Sequence, residues 1–327
     1  MFFSRQMVSD TSARALGLDV GSTPWHEGEI AMQQRAGTRD DMRDHNPYNR
    51  FIPPEYAAFM ATLPCIVIGT VRPGDNSLPH ASILAGEPGF VDCVDATHVL
   101  VRASPLIGDP LAGLLVAGAR VGILAIEPQA RRRIRLSGTV SSTQPGLIRI
   151  DVVAAWGNCP QYIHARAAEF APPAQPRSTA AARAQSTLDA SALALLRKAD
   201  TMFIASNHAT HGPDVSHRGG LPGFVVAADA SRVTFPDFKG NGYFQTLGNI
   251  SVSSTAALFV PDFETGDALF LAGRASIVDD AARVQQVPGA LRLVDIDVAE
   301  ARFVPGVVPL RWSPVRLSRQ VVKLQSS

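Results

Sequence analysis

A repeat constrains this chain more than any other feature. PHASILAGEPGFV at residues 79–91 returns as PDVSHRGGLPGFV at residues 213–225, with Pro, Ser, Gly, Pro, Gly, Phe and Val coinciding at one offset, 134 residues, which carries Ser82 onto Ser216. A turn kept in this way points to a duplicated unit, so the order of elements around each copy is read before any single motif.

The surroundings of the two copies agree. Ahead of the first, PPEYAAFMATL (53–63) reads as a helix with Pro in its first turn, followed by the β-rich CIVIGTV. Ahead of the second, LDASALALLRKA (188–199) reads as a helix capped by Asp189 or Ser191, followed by DTMFIAS. Downstream, RVGILAIEPQARRRIRLSGTV (120–140) pairs with TAALFVPDFETGDALFLAGRA (255–275), each a strand, a turn and a strand ending at Gly138 or Gly273. Closing strands fall near Ile150 and Ile296. Each copy is expected to hold a leading helix, five or six antiparallel strands and a helix between the third and fourth strand, which makes a mainly β fold of two small barrels. The Pro- and Ala-rich APPAQPRSTAAARAQST reads as a connector, dividing the chain into an N-terminal extension (1–50), a first barrel (51–170), the connector (171–187) and a second barrel (188–327). A Rossmann sheet is not expected, because strands and crossover helices do not alternate and GNG at 240–242 does not extend to G-x-G-x-x-G.

Composition narrows the partners. With 30 basic and 29 acidic residues, a formal net charge of +1, nothing at whole-chain level recruits nucleic acid or an anionic membrane. Cys65, Cys93 and Cys159 are far apart and odd in number, which argues against a disulfide framework or a zinc knuckle and for a reducing, cytoplasmic location. The opening MFFSRQMVSD lacks the apolar run of a signal peptide. The most apolar run, LAGLLVAGARVGILAIEP (111–128), is interrupted by Arg120 and glycines before the ~20 residues a bilayer requires, and reads as a short helix, a turn and a buried strand.

In PDVSHRGGLPGF, strand alternation sets Ser216 and Arg218 on one side and His217 on the other. That geometry disfavours a Ser/His nucleophile pair, as does the lack of G-x-S-x-G around Ser216. A guanidinium and a hydroxyl on one face suit the oxygens of an anion, and Gly219 and Gly220 let backbone approach a flat ring. The loop FKGNGYFQTLGNI adds Asn241, Tyr243 and Thr246 where a helix is expected to begin, and its free N–H groups favour the same anion. The other reading of these residues is a solvated hairpin on which Arg218 pairs with Asp214 or Asp237 and Asn241 turns the chain.

The succession P-D-V-S-H-R-G-G-x-P-G-F, then F-P-D-F-x-G-N-x-x-x-x-T-L-G-N-I (235–250), then D-F-E-T-G-D-x-L-x-L-x-G-R-A (262–275) resembles the pyridoxamine 5'-phosphate oxidase-related FMN-binding split barrels across nearly the whole second half. The first half resembles a degenerate copy, and WGNCPQYI (156–163) is similar to the G-N-C-P-K-Y-I segment of tandem members, with Gln161 at the lysine; Gly242 stands where the family has a second Asn. The resemblance implies two Greek-key antiparallel split barrels forming an intrachain pseudo-dimer, with FMN in the seam. It places Ser216, His217, Arg218, Gly219, Asp237, Asn241, Tyr243 and Thr246 around the flavin, and Trp156, Asn158, Cys159, Gln161 and Tyr162 on the opposite wall. It implies an oxidoreductase that passes hydride through flavin N5 to or from a small molecule, with NADH or NADPH as donor. A non-catalytic flavin carrier, sensor or stress protein and a haem-binding or haem-degrading split barrel are the other readings. Pyridoxamine phosphate itself is not the expected substrate, because a second basic cluster for its phosphate is not seen. Since Ser82, Ile83 and Leu84 replace Ser216, His217 and Arg218 in the first copy, one working seam per chain is expected, in a monomeric pseudo-dimer or a homodimer.

The remaining polar features are expected to be structural. His208 and His211 form H-x-x-H in a hairpin loop without an evident third ligand beyond Asp214 or His217, so no metal site is assigned. The run Arg131 to Arg135 reads as a solvated strand edge, Cys159 as a lone buried thiol, and Arg102 as within reach of a phosphate in the first copy. Arg311, Trp312 and Ser313 are a second candidate for the flavin wall.

Overall fold

The computed structural model describes residues 23–72, 78–172 and 183–324. The opening MFFSRQMVSD and residues 173–182 of the connector lie outside the described residues. Two helices precede the first barrel. Helix α1 (Glu27–Arg35) starts at a reciprocal capping box, in which the His26 imidazole accepts from the Gly28 N–H at 3.1 Å and Glu29 accepts from the His26 N–H at 2.9 Å. The short α2 (Arg39–Met42) follows. Each barrel then opens with its own helix: α3 (Pro54–Ala61), begun by proline, and α4 (Ala190–Lys198), capped by Asp189, whose carboxylate accepts from the Ala192 N–H at 2.8 Å.

The first sheet contains β1 (Cys65–Val71), β2 (Pro79–Ala85), β3 (Val91–Cys93), β4 (His98–Val101), β5 (Arg120–Glu127), β6 (Arg132–Gln144) and β7 (Leu147–Gly157), in the order β2-β1-β5-β6-β7-β4-β3. After a short β8 (Ala168–Phe170), the second sheet contains β9 (Thr201–His208), β10 (Gly212–Gly219), β11 (Val226–Ala227), β12 (Arg232–Asp237), β13 (Thr255–Pro261), β14 (Ala268–Val278) and β15 (Arg292–Val304), ordered β10-β9-β13-β14-β15-β12-β11. The two orders are the same order, element for element, and all ladders are antiparallel. Both edge strands of the first sheet, through Leu84 and Val91, join one buried cluster with the strands between them, so the sheet curls around a single core. Even the irregularities repeat: a bulge follows Ser137 in β6 and Ala272 in β14. The residues there are Gly138 and Gly273, where a Cβ would run into the Asp151 and Asp297 carbonyls of the adjacent strand. A terminal strand, β16 (Leu310–Trp312), pairs with β8.

Three expectations change at this level. Each barrel has seven strands rather than five or six, because β3 and β11, of three and two residues, are too short to show as periodic segments. The helix of the second copy, α5 (Gln245–Ser253), follows the fourth strand of its barrel and not the third. Residues 105–119, at the matching place in the first copy, form turns, so the helix read into residues 111–128 is absent and only β5 of that run is regular.

A third apolar cluster joins the barrels. Val67, Ile83 and Leu124 from the first meet Phe203, Val215 and Phe259 from the second. Phe259 stacks on Phe203 and Phe270 with ring centroids 6.0 and 5.4 Å apart, contacts worth about 0.5–1.5 kcal/mol each beyond area burial. Backbones approach closely at Gly122, where a Cβ would lie 2.6 Å from the Pro213 carbonyl oxygen.

Candidate functional site

Between the barrels, beside this apolar seam, lies a cleft of about 620 Å³. That volume is in the usual range for small-molecule and cofactor sites. Four segments supply its walls. One is the C-terminal half of β10, Ser216 to Gly219; another is the loop and first turn of α5, Asp237 to Thr246. Opposite stand Arg133 and Arg135 of β6 and the loop Asn158 to Tyr162 that leaves β7. Residues Arg35 to Met42 of the N-terminal segment form part of the rim.

The α5 end is built for exposure of its amides. Gly242 and Phe244 have φ of 81° and 60°, which turns the chain sharply into the helix, and no side chain caps its first turn. Gln245 and Thr246 thus stand at the cleft with uncapped backbone donors beside them. The Thr246 hydroxyl donates to Ser216 Oγ at 2.9 Å. Arg218 reaches Asp237 at 2.6 Å, and Arg292 reaches the other oxygen of that carboxylate at 3.1 Å. The pairing of Arg218 with Asp237 considered from the sequence therefore exists, but inside the cleft and not on a solvated hairpin. It leaves Arg218 Nε buried without an acceptor.

The opposite wall comes from the first copy. Arg135 is 4% exposed and crosses to the second barrel, where it donates to the Val215 carbonyl at 2.8 Å, to Asp214 at 2.5 Å, and to Ser216 and Gln245. Arg133 donates to the Cys159 carbonyl at 2.9 Å and lies 3.4 Å from His217 Nδ1. Burial lowers the Arg133 guanidinium to about 10, still a cation at neutral pH, and no carboxylate among the described residues pairs with it. Burial, reinforced by Arg133, drives the His217 imidazole well below its ordinary range and keeps it neutral. Asn158 accepts from the Asn241 amide at 3.1 Å and its own Nδ2 is buried without a partner. Tyr162, at φ 63°, stacks on Phe238 with centroids 5.3 Å apart and donates to the Lys239 carbonyl at 3.0 Å.

The structure thus brings Ser216, His217, Arg218, Gly219, Asp237, Asn241, Thr246, Asn158, Gln161 and Tyr162 to one cleft. Tyr243 is turned away: its hydroxyl lies 2.9 Å from His45 Nε2 and its ring packs on Trp25. Trp156 is also not a wall residue. It is buried edge-on against Tyr48, on the far side of Arg135. Trp312 sits on β16 with its edge to Phe263, outside the cleft.

Arg133 and Arg135 correct the reading of the arginine run as a solvated edge, since β6 is an interior strand. A signal was present: Arg133 and Arg135 alternate with Ile134 and Leu136, which join the barrel core, so the two arginines share the opposite face. By strand register their counterparts in the second copy are Ala268 and Phe270. At that pseudo-symmetric position Ser82 donates to the buried Asp109, Ile83 and Leu84 are packed, and the neighbouring cavity is about 10 Å³. Arg102, read as a possible phosphate contact there, pairs at the surface with Asp92 at 3.0 Å.

The strand order, its repetition and the cleft at the seam make this two tandem antiparallel split barrels in one chain, the fold that the sequence resemblance implies. No family model and no curated protein matches the sequence. Solved structures to which it is similar include HupZ of Group A Streptococcus, at 14% identity over 36% of this chain and 94% of that one, TM-score 0.30. A putative pyridoxamine 5'-phosphate oxidase of Lactobacillus delbrueckii has 21% identity over 36% and 94%, TM-score 0.29. General stress protein 26 of Bacillus anthracis has 12% identity over 34% and 88%, TM-score 0.26.

Proposed function

We propose that the cleft binds FMN, one per chain, and that the protein is an FMN-dependent oxidoreductase acting on a small molecule, with NADH or NADPH as electron donor. The observation that supports this most directly is the charge of the cleft. Apart from Arg35 and Arg135, whose guanidinium groups are held by Asp279 and Asp214, the basic residues Arg133, Arg218, Lys239 and Arg292 line it against only Asp41 and Asp237. A phosphate dianion offsets that excess, and the uncapped first turn of α5 faces the same space.

The residues fit the group. In this reading Arg218, through its buried partnerless Nε, the Thr246 hydroxyl and the α5 amides hold the phosphate. Asn158, whose Nδ2 lacks an acceptor, and Gln161 meet the polar edge of the ring, and Tyr162 on Phe238 forms a flat wall. Gly219 allows close approach, since a Cβ there would run into the Tyr162 carbonyl. When bound, FMN supplies hydride exchange at N5. The chain supplies position, a neutral His217 and a cleft whose cations favour an anionic cofactor. The replacement of Arg133 and Arg135 by Ala268 and Phe270 at the second seam, where the cavity is only about 10 Å³, supports a single site.

The absorption spectrum of the purified chain tests this. A flavin spectrum bleached anaerobically by NADH or NADPH is expected. A Soret band would replace FMN by haem, and a flavin that neither nicotinamide reduces would leave a carrier or sensor.

A further inference from the structure

The hairpin joining β9 to β10 carries His208 and His211, for which the sequence offers no third ligand beyond Asp214 or His217, and the fold commits those two to Arg135 and to the cleft. The fold brings ligands from 181 residues away: His208 Nε2 lies 3.0 Å from Glu27 Oε1, at the start of α1. The His26 ring stacks on His208 at 4.2 Å between centroids, and the His211 ring lies 4.9 Å from His208 and 5.3 Å from His26. One donor atom from each of His26, Glu27 and His208 falls within 4.8 Å of the others. His26 is 5% exposed, and its Nε2 has no hydrogen-bond partner.

We propose that His26, Glu27 and His208 form a site for a divalent first-row transition ion, with His211 at hand as a fourth ligand. Imidazoles with one carboxylate are the donor set of zinc, and the absence of thiolates and the single carboxylate disfavour soft and hard ions respectively. Coordination through Nε2 requires each imidazole to carry its proton on Nδ1. On His208 that proton displaces the bonds that Nδ1 accepts from the Thr210 and His211 N–H groups at 3.3 and 3.2 Å, and Thr210 Oγ1, at 3.2 Å, remains as its acceptor. On His26 it displaces the bond from the Gly28 N–H, and the ion gives the buried Nε2 the partner it lacks. The ion ties the N-terminal segment to the flavin-side barrel, because α1 packs directly on α5. This inference does not depend on the flavin reading.

The chelator-stripped full chain, titrated with Zn²⁺ against a chromophoric competitor and separately with Co²⁺, tests it. One ion per chain is expected, with a Co²⁺ spectrum free of a thiolate charge-transfer band and a higher melting temperature. Affinity is expected to fall at least tenfold in His208→Ala, in Glu27→Gln and in His26→Asn, the last of which keeps a capping side chain. Glu27 is exposed, so its substitution leaves the core intact. No stoichiometric binding, a thiolate band, or undiminished affinity in both Glu27→Gln and His26→Asn overturns the proposal.

Discussion

Arg218 and Arg133 differ in how they are held, and that difference sets what each substitution should do. Arg218 is already paired with Asp237, so its Nε and the surplus of its charge are what remain for a ligand. Arg218→Ala is expected to weaken FMN binding about 10- to 150-fold, the equivalent of about 1.5–3 kcal/mol for a charge-assisted contact. Fluorescence titration measures it, and unchanged affinity would return Arg218 to a purely structural pair. In the first copy, burial raises the Asp109 carboxyl from 3.8 to about 6, against the bonds it accepts from Ser82, Leu111 and Leu106. The folded chain then keeps, between those pH values, a proton that the unfolded chain releases. Stability from this group is full below pH 3.8 and is lost as pH rises through about 6, by at most about 1.4 kcal/mol per pH unit. The stability advantage of the wild type over Asp109→Asn, by urea denaturation from pH 4 to 7, is expected to shrink as pH rises; a constant difference would contradict it. At this scale the sequence located Ser216, Arg218, Asp237 and Asn158 because motif and alternation act locally. It misplaced Tyr243, whose direction depends on Trp25 and His45 from a segment nearly two hundred residues earlier.

Among the elements, α5 bears most on the site, since its first turn faces the cleft and its flank receives α1. The contact is glycine on glycine: a Cβ on Gly28 would strike the Gly248 carbonyl, and one on Gly248 would lie 2.7 Å from the Glu29 nitrogen. Gly248→Ala is therefore expected to cost about 1–3 kcal/mol through overpacking and to speed proteolysis of the N-terminal segment. An unchanged urea midpoint would show that α1 does not need this contact. The docking of α1 was not legible in the sequence, because it is made by small residues that carry no periodic signal. The long strands were legible, whereas β3 and β11 were not, since strands of three and two residues present no alternation to read.

As a whole, the molecule keeps the strand plan of a symmetric pair and breaks the symmetry in side chains and in one helix, present as α5 in the second copy and replaced by turns in the first. Repeated turns, strand order and bulges descend from duplication, so the two-barrel plan could be read from one offset in the sequence. The single site could be only half read: the loss of Arg218's counterpart, Leu84, was visible along one strand, but the gain of Arg133 and Arg135 opposite required knowing which barrel face meets the other copy. This asymmetry is expected to leave one flavin site per chain. Titration of the FMN-free chain with FMN, followed by flavin fluorescence and calorimetry, measures it directly. One equivalent per polypeptide is the result expected; two equivalents of like affinity, or no binding, would contradict it.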